Sequence, residues 1–190
     1  MIETRAEIVG AAIECFASQG FDQTSMDDIA AAAGVSRRTI YRYFETKDDL
    51  VFDAPREWVE VLDATIATRE DGESTRDLYR RALVEVARHI EADAERVRRA
   101  FAILSSSPSL RVRHGRSDAE WAARIVLLLS PDVAEDPNGD LRSLTAAMSL
   151  VGAGNALIAT WATRGGDADL VAMTRIVLDQ VDSVWPETSR

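Results

Sequence analysis

Two glycines, Gly20 and Gly34, cut the first fifty residues into short apolar runs of helical period, and that punctuation limits the fold more than any other feature. Residues 3–19 carry Ile8, Ala12, Cys15 and Phe16 on one face, spaced as in an α-helix. Gly20 stops that helix. Thr24 or Ser25 caps a second helix through Ala33, with Asp27 and Asp28 against its positive end. Gly34 ends the second helix, Val35 is a spacer, and Ser36 caps a third that runs through Tyr43 or Phe44. Thr46 caps a fourth, with Asp49 placed as in a capping box. No segment alternates with period two for long enough to make a strand.

Helical period continues downstream. Pro55 interrupts the fourth helix, which should kink there or start in two parts. Trp58, Val61, Leu62 and Ile66 resume the spacing, and residues 68–74 read as a loop. Ser74 caps a helix to about residue 91, with Leu78, Ala82, Val86 and Ile90 inward, and another follows to Leu104. After a break at 105–108, a long helix runs to about residue 129. A turn region holds Pro131 and Pro137, and two last helices span about 140–163 and 167–185. The chain is expected to be all-α.

Composition removes several function classes. The single cysteine, Cys15, permits no internal disulfide and no cysteine-based zinc site, which suits a reducing compartment, and it reads as a small buried hydrophobe. Two histidines, His89 and His114, make a histidine-rich metal centre unexpected, and no cofactor is called for. No apolar segment follows a basic start, so no signal peptide is expected and the protein is expected in the cytoplasm. Residues 143–163 carry no charge over 21 residues, enough to cross a bilayer. Six alanines, two glycines and several Ser, Thr and Asn make that stretch read instead as a helix buried in protein, not in membrane.

The net charge is −10, which opposes indiscriminate nucleic-acid binding. Residues 34–47 nevertheless hold Arg37, Arg38, Arg42 and Lys47 against only Glu45. A helix that reads a major groove must be short, exposed on one face and braced by two others. Ile29, Ala30 and Ala33 supply small packing on the bracing helix, and Ile40 and Phe44 anchor the third helix. Arg37, Arg38, Thr39, Tyr41, Arg42 and Tyr43 remain for the outside. Arginine grips guanine with two hydrogen bonds, threonine offers a methyl to thymine, and tyrosine hydroxyls and Lys47 suit phosphates.

The stretch Phe16-x-x-x-Gly20-Phe-x-x-Thr24-Ser-Met-x-x-Ile29-Ala-x-x-Ala33-Gly-Val-Ser36-x-x-Thr39-x-Tyr41-x-Tyr43-Phe44-x-x-Lys47-x-x-Leu50 resembles the TetR/AcrR family of bacterial transcriptional regulators. The likeness covers about fifty residues in register; the remainder matches only in length and helical pattern. It implies about nine helices: a three-helix helix-turn-helix domain at 1–48, then a helical ligand-binding and dimerisation domain at 49–190. It further implies a homodimer whose recognition helix, 36–44, binds a near-palindromic duplex operator, with repression relieved by a small, largely apolar effector. By motif position, Thr24, Ser25, Tyr41, Tyr43 and Lys47 fall to the DNA backbone, Arg37, Arg38, Thr39 and Arg42 lie nearest the bases, and Ser36, the cap of that helix, belongs to the same DNA-binding set. Arg38 departs from the family pattern, where glycine is common.

For the effector, the aromatic and polar candidates are Trp58, Phe101, Leu104, Trp121, Ile125 and Asn155, an apolar set with one polar group to orient an acyl or aromatic molecule. For the dimer, Gly152, Ala156 and Thr160 make a small-residue ridge, and Met173, Ile176, Val177 and Val181 an apolar stripe. Arginines in the middle of the chain have acids at helical spacing, Asp77 with Arg80 or Arg81 and Glu95 with Arg98 or Arg99, and read as solvated ion pairs. An enzyme is disfavoured, since no nucleophile–base set, metal pattern or phosphate loop is spaced on these helices. Two alternatives keep the fold: an interaction protein without DNA binding, or an activator.

Overall fold

The computed structural model describes residues 2–51, 53–107, 110, 137–165 and 167–184. Nine helices lie among them: α1 (Ile2–Gln19), α2 (Met26–Ala32), α3 (Arg37–Tyr43), α4 (Lys47–Val51), α5 (Asp53–Ala67), α6 (Thr75–Ala92), α7 (Ala94–Ser106), α8 (Pro137–Thr163) and α9 (Leu170–Val184). The described residues contain no strand. The chain divides into two compact units, Met1–Glu57 with Asp93–Arg113 and Trp58–Ala92 with His114–Arg190. The division expected at 48/49 follows sequence order, whereas the first unit also takes in α7.

In the first unit α1 packs on α2, α4 and α7, and α2 packs on α3. The core joins Ile8, Ala12 and Phe16 of α1 to Ile29, Ile40, Phe44, Leu50 and Ile103, with Ala33 and Val35 at its margin. Each isoleucine or leucine buried this fully contributes about 1.5–3 kcal/mol. Cys15 lies in this core, and burial first, then the carboxylates of Asp28 and Glu14, push its thiol pKa up.

Two turns depend on glycine. Gly20 (φ 87°) donates to Phe16 O at 2.9 Å and ends α1. Gly34 (φ 66°) closes α2 in a Schellman motif, with Val35 N donating to Ala30 O (3.0 Å) and Gly34 N to Ala31 O (3.2 Å). Both angles lie where a side chain is disfavoured. Pro55 lies within α5, and the kink or two-part start expected at this proline turns on residue 52, which lies outside the described residues.

In the second unit α9 packs on α6 and α8. Its core includes Tyr79, Val84, Ala147, Leu150 and Leu178. Trp161 is fully buried, and its Nε1 donates to Ala168 O at 2.8 Å, which holds the α8–α9 turn. α9 starts at Leu170 because Asp169 caps it, accepting from Ala172 N at 2.7 Å, and Glu91 of α6 accepts from Leu170 N and Val171 N. α8 opens at Pro137, expected in a turn; proline suits a first helical position, whose N–H has no acceptor. The expected long helix to 129 and the turn from 130 to 136 lie outside the described residues.

Arginine pairing is partly local. Glu95 meets Arg98 and Arg99 as the spacing suggests. Arg80 reaches Asp179 at 2.5 Å, and Arg81 forms a two-pronged pair with Glu73, both distances 2.8 Å. Hydrogen bonds from Arg81 bring the Glu73 carboxyl down to about 2. No helix of the described residues is long and apolar enough to cross a membrane.

Candidate nucleic-acid interface

α3 is a seven-residue helix held at both ends and by one face. Ser36 caps it, accepting from Thr39 N at 3.0 Å, and the Ser36 and Thr39 hydroxyls share a hydrogen bond of 2.8 Å. Ile40 is 0% exposed, and the buried Phe44 closes the C-terminus, its N–H donating to Ile40 O. Arg37, Arg38, Tyr41 and Arg42 are exposed on the other side, and Tyr43 is half-buried.

The arginines differ in their surroundings. Arg37 Nε lies 3.3 Å from Asp27 on α2, and its guanidinium sits 5.7 Å from the Tyr41 ring centroid. Arg42 lies over the Tyr43 ring at 4.9 Å and donates to its hydroxyl at 3.3 Å. Exposed pairs of this kind are worth about 0–1 kcal/mol, so either arginine can exchange its partner for a base or phosphate at small cost. Arg38 makes none of these contacts.

Three residues expected at phosphates have their polar groups hydrogen-bonded within the chain. Thr24 is 2% exposed, its hydroxyl directed at Gly20 O (2.8 Å) and Cys15 O (3.4 Å). Ser25 forms a complete capping box: Asp28 N donates to Ser25 Oγ at 3.1 Å and Ser25 N to Asp28 Oδ2 at 2.9 Å. The Ser25 hydroxyl also donates to that carboxylate at 2.6 Å, and these bonds hold the Asp28 pKa below its ordinary value. Lys47 points its ammonium at backbone carbonyls of the turn before α2. The box expected at Thr46 is half formed: its N–H donates to Asp49 at 2.8 Å, but its buried hydroxyl has no partner among the described residues.

The effector candidates fall in both units. Phe101 and Leu104 belong to α7 in the first, where Leu104 packs against the core; Trp58 and Asn155 belong to the second. Trp121 and Ile125 lie outside the described residues. The Trp58 indole N–H is shielded from solvent and has no acceptor among the described residues. Of the dimer candidates, Gly152, Ala156 and Ile176 are exposed, Ile176 at 62%. Thr160, Met173, Val177 and Val181 are half-buried, and Val181 packs against the core of its own subunit. Met148, on the Gly152–Ala156 ridge and also exposed, extends this set; its spacing of four from Gly152 was the available signal.

The first unit is thus a helix-turn-helix of the kind that offers one short helix to a DNA groove. Residues 8–54 match the bacterial regulatory proteins of the tetR family, and residues 73–186 match the MftR C-terminal domain. The chain belongs to the tetR family of bacterial regulatory proteins. It is 31% identical over 180 residues to the transcriptional regulator TtgR of Pseudomonas putida, covering 89% of this chain and 85% of that one. It is 30% identical over 118 residues to MftR of Mycobacterium tuberculosis, named as a mycofactocin biosynthesis transcriptional regulator; that match spans 62% of this chain and 60% of MftR. Thermus thermophilus FadR, solved with lauroyl-CoA, superposes with a TM-score of 0.61 over 98% of this chain and 96% of its own, at 20% identity, and so shares the fold. The relatives carry the names of regulators, not enzymes.

Proposed function

We propose that this chain is a homodimeric, cytoplasmic repressor that binds a near-palindromic operator through α3 and releases it when a small, largely apolar effector binds. The observation that carries this reading is the division of α3 into a buried anchor, Ile40, and an exposed face of Arg37, Arg38, Tyr41 and Arg42. That division leaves the basic groups free to meet base edges and phosphates while the helix stays docked.

Dimerisation is supported by the exposed apolar run Met148, Gly152, Ala156 on α8 and by Ile176 on α9. Ser149 and Thr160 each return their hydroxyl to the carbonyl four residues earlier, at 2.8 and 2.7 Å. A second subunit can therefore cover this surface without leaving those donors unpaired. A two-fold dimer would set two copies of α3 about 34 Å apart, one turn of DNA, hence the two-fold operator. The effector reading draws on the Trp58 indole N–H, which has no acceptor among the described residues and could donate to an acyl or aromatic molecule, and on the acyl-CoA held by FadR, which shares the fold.

Substituting Arg38→Ala and Arg42→Ala together tests the assignment. Binding to a duplex selected by the unmodified protein is expected to weaken by about 1–3 kcal/mol for each arginine that grips a base edge, with the helical circular dichroism unchanged. Binding that ignores both changes overturns it.

A further inference from the structure

Lys47 is the only lysine in the chain. Its Nζ donates to Phe21 O at 2.7 Å, Thr24 O at 3.2 Å and Asp22 O at 3.3 Å, and lies 4.5 Å from the Phe21 ring centroid. An ammonium has three N–H donors and no acceptor, so three carbonyls occupy all of them. The carbonyls belong to the turn that enters α2, and Lys47 is the first residue after the loop that leaves α3. One side chain therefore ties the entry of the helix-turn-helix to its exit.

The tie reaches solid ground on both sides. Phe21 packs against Phe16 in the core, ring centroids 5.0 Å apart and planes tilted by 52°, and Thr24 is anchored through its hydroxyl to Gly20 and Cys15. On the other side Leu50 and Val51 of the same short helix, α4, are buried in that core. Between these ends α3 contributes a single buried residue from its own length. Peptide planarity adds a direction: a carbonyl and the N–H that follows it point opposite ways. With the Phe21 and Asp22 carbonyls drawn to Nζ, the N–H groups of Asp22 and Gln23 face away from it.

We propose that Lys47 is a positioning residue: its ammonium fixes the turn 21–24 against the start of α4 and so sets the angle at which α3 meets DNA, with its donors committed before DNA arrives. The proposal rests on α3 being the DNA-reading helix. It assigns the lysine a geometric role that arginine cannot fill, because a planar guanidinium does not present three diverging donors to three carbonyls.

Because Lys47 is the sole lysine, ¹⁵N-lysine labelling of the full chain gives one side-chain signal. It is expected to show slowly exchanging ammonium protons in the free protein, and to stay in place when a duplex recovered from a random-sequence pool is added. Lys47→Met and Lys47→Arg are both expected to weaken binding to that duplex by about 10- to 100-fold, as when hydrogen bonds to a charged group are removed. Both should leave the slope of log affinity against log salt unchanged, and both should speed amide exchange in residues 20–25 while residues 8–16 hold. A fast-exchanging signal in the free protein overturns the proposal. So does full affinity in Lys47→Arg with a slope shallower by about 0.9 per lysine in Lys47→Met, the mark of a phosphate contact. If the unmodified protein selects no duplex, the operator reading fails separately, and the lysine signal and the exchange data still decide the clamp. If Lys47→Met does not fold, the signal of the unmodified protein and Lys47→Arg carry the decision.

Discussion

Replacing Ile40 with alanine removes the one fully buried side chain within α3. The helix has seven residues, whereas an isolated helix shorter than about 12–15 is marginal in water. Its order therefore depends on Ile40, on the Ser36 cap and on Phe44 at the far end. Truncating a fully buried isoleucine costs about 2–5 kcal/mol, the sum of lost transfer energy and the cavity left behind. Local opening of α3 should absorb this cost, because the rest of the unit keeps its own packing. Hydrogen exchange at amides 40–44 is then expected to accelerate by about 30-fold or more, at tenfold per 1.4 kcal/mol. The amides of α1 should change far less. Tyr41→Ala, at a side chain 45% exposed, is the contrast: it should cost under about 0.5 kcal/mol yet still weaken DNA binding. Exchange measured by mass spectrometry, with urea titration of both variants, decides the matter. Equal stability in the two variants would refute the anchor-and-face description of α3.

Acid stability should depend on Glu73. Its folded pKa of about 2 lies below the ordinary 4.5 because Arg81 hydrogen-bonds the carboxylate. The stabilisation is therefore full above 4.5 and is lost as pH falls towards 2. Glu73→Gln should be less stable than the unmodified chain at pH 7 and converge with it near pH 2, followed by urea midpoints across that range; a constant difference contradicts the pairing. Ile176→Glu places a charge on the exposed α9 face proposed for the dimer, and burial there would leave it unpaired. Sedimentation should show it shifted from dimer to monomer at micromolar concentration with unchanged helicity, and an unaltered dimer would move the interface elsewhere.

The helix-turn-helix was readable from the sequence because its signals are local. Ser25 with Asp28, Ser36 with Thr39, and Gly34 with Val35 act within a few residues, and each forms the cap or turn that its spacing suggests. Ile40 and Phe44 share a face by period alone. Period says which face is buried, however, and not against what. Ile103 of α7 joins the core of α1, a packing that no run of helical period announces. Arg80 reaches Asp179, a partner on another helix that no spacing rule finds. Lys47 is the sharpest case. Its type and place suggested phosphate, while its length and three donors let it reach carbonyls more than twenty residues away. Thr24 is similar: buried, its hydroxyl serves the turn before α2.

The central claim, that this chain is a two-fold reader of a specific duplex, is met most directly by selection of bound DNA from a random-sequence pool. The purified full chain would be used at near-physiological salt and the recovered duplexes sequenced. The expected result is an enriched motif of two inverted half-sites whose centres lie about 10 base pairs, or a multiple, apart. A folded dimer that enriches no sequence, with and without acyl and aromatic candidates present, would contradict the claim.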